Sequence, residues 1–144
     1  MLNSQSLYQA QMRHAAYYLS QFQEMGSLFQ QGGENVAAAV QKARHLWGQI
    51  QQGQAWAANN LRFQDAASMC IAYTENTFDL LKAFQPLSER IRWLSDSLAA
   101  AQQLGNHEAM ILFLIELGEA RLFGGKDTID VSIEHFQEAL KLAR

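Results

Sequence analysis

The sequence predicts an all-α fold of antiparallel helical hairpins. Three observations carry that expectation. Ala, Gln, Leu and Glu dominate the chain, and all four are good helix formers. The apolar/polar alternation of a half-buried strand is nearly absent. Finally, a single proline, two glycine pairs and Gly105 divide the chain into long segments whose apolar residues recur at helical spacing.

The first helix is expected from about Ser4 to Gln31, with Leu7, Met12, Ala15, Tyr18, Leu19, Phe22 and Met25 on its apolar side. Gly32-Gly33 ends it, because glycine lets the chain leave a helix through a left-handed conformation. The second begins near Glu34 and carries Val36, Val40, Ala43, Leu46, Trp47 and Ile50. Gly48 and Gly53 weaken its middle by about 1 kcal/mol each relative to Ala, so a kink or a restart before Trp56 competes with one helix to Asn59-Asn60. The unbroken helix is the favoured reading. The third covers about Phe63 to Phe84 and stops at Gln85-Pro86, since the residue before a proline is pushed out of the helical region. Ser88 reads as the N-cap of the fourth, which runs to Leu104 and ends at Gly105-Asn106. The fifth and sixth span about His107–Leu122 and Ile129–Ala143, joined by a polar turn from Phe123 to Thr128, with Asp127 or Thr128 as the cap. About six helices with short connections pack as antiparallel neighbours.

Composition narrows the function. With 144 residues, 49% hydrophobic and 17% charged, the chain suits one packed domain: a long helix pair over 1–60, then two hairpins over 61–144. The net charge of −3 argues against a general nucleic-acid binder. No apolar run approaches a membrane span, the N-terminus shows no secretory pattern, and the lone Cys70 needs no oxidising compartment, which makes the cytoplasm the default address.

Chemistry-bearing motifs are incomplete. His107-Glu108-Ala109-Met110-Ile111 begins like a zinc-protease helix, but Ile111 stands where the second imidazole must be. Gly124-Gly125-Lys126 lacks the Ser or Thr and the glycine spacing of a phosphate loop, and Asp127 would repel a phosphate. Cys70 lies in an apolar run with no local base and reads as a small buried hydrophobe. Trp93 reads as packing between hairpins, Trp56 as a plug at the junction with the N-terminal pair, and the glutamine runs as solvated faces. No metal or cofactor is expected, and an enzyme ranks last among the readings.

The chain repeats itself. Placing Ser97-Leu98 on Ala139-Leu140 also places Leu94 on Phe136 and Ile91 on Ile133. Each hairpin of such an array leaves an apolar face that its neighbour must cover. Leu114, Leu117-Gly118, Ser132, Phe136 and Ala139 resemble the consensus of the tetratricopeptide repeat, with Leu114 and Arg121 replacing the usual aromatics and a longer turn. The order His14-Ala15-Ala16-Tyr17-Tyr18-Leu19, Gly32-Gly33-Glu34, Gln54-Ala55-Trp56-Ala57 and Ser88-Glu89-Arg90-Ile91-Arg92-Trp93-Leu94 is similar to the segment that introduces the C-terminal array of bacterial STAND-type signalling ATPases. These resemblances imply a right-handed superhelix of hairpins whose concave side binds a protein or peptide, or restrains an ATPase module in cis. They further imply that the chain is part of, or related to, a larger switch protein. The concave side, lined by the first helix of each hairpin, picks out Tyr73, Asn76, Thr77 and Leu80, and Leu112, Ile115, Glu119, Leu122 and Phe123. The apolar members of the second set either bind an apolar peptide or are covered by a neighbouring segment or a second copy of the chain, which makes a homo-oligomer through the terminal hairpin one of the expectations.

Overall fold

The computed structural model describes residues 3–123 and 129–144, and among these every regular element is a helix. Seven helices are described: α1 (Ser4–Gln30), α2 (Glu34–Ala58), α3 (Gln64–Glu75), α4 (Phe78–Phe84), α5 (Leu87–Leu104), α6 (His107–Leu122) and α7 (Ile129–Ala143). None is long and apolar enough to cross a membrane.

Local chemistry sets the ends. Asn3 caps α1 by accepting from the Ser6 amide at 2.8 Å. Gly32 and Gly33 both take positive φ, as the exit from α1 requires. Gly105 is left-handed at the end of α5, and Asn106 at once caps α6 by accepting from the Ala109 amide at 3.1 Å. Gln85 is extended before Pro86, and α5 begins directly after the proline. Ser88 is therefore inside the first turn of α5, and the cap position belongs to Pro86. The expected turn over 124–128, with its cap at Asp127 or Thr128, lies outside the described residues.

α2 runs unbroken through both of its glycines. Gly53 is a point of close approach: a Cβ there would lie 2.1 Å from the Tyr73 hydroxyl and 3.3 Å from Ala15 Cα. The Tyr73 hydroxyl passes this gap and donates to the Ala15 carbonyl at 2.5 Å, tying α3 to α1 across α2. Gly48 faces open space.

The expected third helix is two helices, which raises the count from six to seven. Asn76 and Thr77 leave helical geometry, and the Thr77 hydroxyl donates to the Tyr73 carbonyl at 2.7 Å, offering the backbone an alternative to continuing the helix. Gly26 of α1 accommodates the break, since a Cβ there would lie 3.1 Å from the Asn76 carbonyl oxygen.

Most helices pack mainly on their chain neighbours; α3 reaches past the short α4 to α5, and α4 itself packs on α1 and α2 as well as α5. α1 and α2 are antiparallel: Gln11 meets Trp56, and Phe22 meets Trp47. α4 and α6 run parallel, with Phe78 against Phe113 and Lys82 beside Glu116. Two core clusters result. Phe22, Ile50, Tyr73, Leu80, Leu81 and Trp93 fill one, where Trp93 stacks on Trp47 with ring centroids 5.2 Å apart. Cys70, Ile71, Leu94, Phe113 and Leu117 fill the other. Adjacent residues of α5, Trp93 and Leu94, thus serve different clusters. The glutamine-rich stretch of α2 is not wholly solvated: Gln54 is buried and donates to Asp96 of α5 at 2.9 Å.

Candidate functional site

The side of α6 that points away from the core carries Leu112, Ile115, Glu119 and Leu122 at spacings of three and four residues, so the four form one stripe. Leu112 is half-buried, whereas Ile115, Glu119 and Leu122 are exposed. Phe123, just past the helix end, is 73% exposed. A row of large apolar side chains left in water has a cost of roughly 25 cal/mol for each Å² that a partner would cover, which is the driving force for docking on it.

A charged cluster borders the stripe. Lys82 of α4 reaches α6 and pairs with Glu116 at 3.4 Å and with Glu119 at 3.5 Å. The carboxylates lie one turn apart on one side of α6, so a single ammonium bridges both. All three side chains keep contact with solvent, and pairs of this kind contribute about 0–1 kcal/mol. Their effect is positional: they fix α4 against α6 beside the apolar stripe and set a polar border to it.

The other expected site residues divide. Asn76 is exposed at the break between α3 and α4. Tyr73, Thr77 and Leu80 are not: all three are inside, at 0–1% exposure. Tyr73 is committed to the Ala15 carbonyl, Thr77 to the Tyr73 carbonyl, and Leu80 to the core beside Trp93. Their place on an exposed groove is therefore corrected, because Tyr73 of α3, Thr77 at the break and Leu80 of α4 all turn into the core. Burial also pushes the Tyr73 hydroxyl well above its ordinary range, which keeps it protonated and donating. Lys82 and Glu116 were the members missed from sequence. The signal available for them was a pair of Glu residues at helical spacing on an otherwise apolar helix.

Elsewhere, side chains with reactive potential are engaged in structure. Cys70 is buried, and its thiol is pushed up to about 12, first by burial and then by the Asp96 charge. His14 shares a hydrogen bond with Gln49 at 2.7 Å. Burial and the neighbouring Arg121 hold the imidazole of His135 below its ordinary value, against the opposing pull of Glu138 and Glu134. Among the described residues no three His, Cys, Asp or Glu side chains group as metal ligands would. Trp56 is half-buried against the second core cluster, contacts the Tyr8 ring and donates to Gln11. No family model, curated protein or solved structure matches the chain.

Proposed function

We propose that the chain is a protein-interaction module of stacked tetratricopeptide-like hairpins, and that it captures a protein or peptide partner on the α4–α6 face. The observation that carries the reading is the exposed stripe of Ile115, Leu122 and Phe123 beside the Lys82–Glu116–Glu119 cluster. Apolar anchors with a polar border are how protein interfaces divide binding strength from orientation.

Further support comes from the helix geometry. The contacts of α4 with α6 join residues 34 to 37 positions apart, near the repeat length of about 34 in such arrays. Gly118 lets Phe136 of α7 approach within the space a Cβ would occupy, and the buried Ser132 hydroxyl donates to the Gly118 carbonyl. Small residues at these positions draw the two helices of a hairpin together. In a STAND-type protein, which the sequence resembles, the same face would be the one that senses the ligand.

Site-specific photo-crosslinking in the native host tests the reading. A photoreactive residue replacing Ile115 or Phe123 is expected to trap a discrete heavier species that the same residue at the exposed Arg44 of α2 does not. Identical products from all three positions would sink the proposal.

A further inference from the structure

The repeat within the sequence singles out a second surface, separate from the α4–α6 face. Ile91 and Leu98 of α5 correspond to Ile133 and Leu140 of α7. On α5 the two are partly buried against the cluster that α3 and α6 complete. On α7 their counterparts are 46% and 57% exposed, and Ile129 beside them is 41% exposed. Among the described residues, the face that α5 has covered is bare on α7.

What borders this face identifies its occupant. Ile129, Ile133 and Leu140 are spaced by four and seven residues and so share one stripe of α7, while Phe136 at its edge turns toward Gly118 of α6. The flank carries Asp130 and Glu134 in the first half of α7, and Lys141 and Arg144 at and just beyond its end. A helix with acid at one end and base at the other is complementary to itself when run antiparallel, and opposes itself when run parallel. We infer that α7 pairs antiparallel with α7 of a second copy of this chain, about a two-fold axis near Gln137. Ile133 then packs on Leu140 of the other copy and Asp130 meets Arg144, each contact occurring twice. Two helices of 15 residues pairing in this way bury on the order of 1,000 Å² in total, at the low end of specific interfaces, so the dimer is weak and micromolar.

Sedimentation equilibrium of the full chain from low micromolar to millimolar concentration tests this without any partner. A monomer–dimer equilibrium is expected, abolished by Ile133→Glu or Leu140→Glu. Asp130→Lys and Arg144→Glu should each weaken the dimer by about three- to tenfold, by turning opposite-charge contacts into like-charge ones. The double variant, which exchanges the two charges, should restore it. All four positions are exposed, so circular dichroism should show native helix content throughout. Four outcomes overturn the inference: a chain monomeric at every concentration, a dimer indifferent to Ile133→Glu, a dimer that Asp130→Lys strengthens, or a double variant that is not restored. A monomer whose Ile133 and Leu140 are shielded only by a different protein assigns the face to a foreign helix and equally overturns it. None of these results bears on the α4–α6 face, which is tested by its own crosslinks.

Discussion

At the scale of single residues, two glycines on one helix have opposite meanings. Gly48 meets nothing within 4 Å, so its only consequence is the backbone freedom that the unfolded chain loses on folding. Gly48→Ala is expected to stabilise the fold by about 0.5–1 kcal/mol. At Gly53 the added methyl would occupy the space of the Tyr73 hydroxyl, displacing the ring and breaking its hydrogen bond to Ala15. Gly53→Ala is expected to destabilise by about 2–4 kcal/mol, the sum of an overpacked core and a lost buried hydrogen bond. Urea denaturation of the two variants beside the parent measures both, and equal effects would contradict the close approach at Gly53. In sequence the two positions look alike, each a weak point in a helix. What separates them is a tyrosine on another helix, which local propensity cannot report.

At the scale of elements, the same distinction decides what could be read beforehand. Helix ends written in local chemistry were legible: the glycine pair after α1, the left-handed Gly105, and the extended Gln85 before Pro86. The break at Asn76–Thr77 was not, because the space for its carbonyl is provided by Gly26, far away on α1. The site divides along the same line. Helical spacing placed Leu112, Ile115, Glu119 and Leu122 on one stripe, but spacing alone cannot tell an inward stripe from an outward one. For Tyr73, Thr77 and Leu80 the inward choice is set by Ala15, Phe22 and Trp93, contacts that exist only once α1 and α5 are packed. The α6–α7 hairpin gives this argument a measurable form. A methyl on Gly118 would lie 2.6 Å from the Phe136 ring, so Gly118→Ala is expected to cost about 1–3 kcal/mol. Shortening the opposing side chain with Phe136→Leu should recover part of that loss in the double variant, as a double-mutant cycle of denaturation energies would record. Strict additivity would mean that the two residues do not meet.

At the scale of the whole molecule, nearest-neighbour packing makes stability a gradient. α2, α3 and α5 lie between neighbours and contribute to the buried clusters, whereas α7 packs principally on α6 and buries only Ser132 and Ala139 fully. A helix held by one neighbour can open without disturbing the rest, while opening α5 exposes Trp93 and Leu94 and so disrupts both clusters. Native-state hydrogen exchange well below micromolar concentration, where any α7 pairing is mostly dissociated, should therefore find the α7 amides exchanging well before those of α3 and α5. The slowest amides should report global unfolding and fall in α2, α3 and α5. Uniform protection from α1 to α7 would contradict the gradient and show that α7 is held by more than α6. If α7 pairs with its copy, raising the protein concentration should slow exchange in α7 selectively, because only there does association add a second neighbour to a helix that has one.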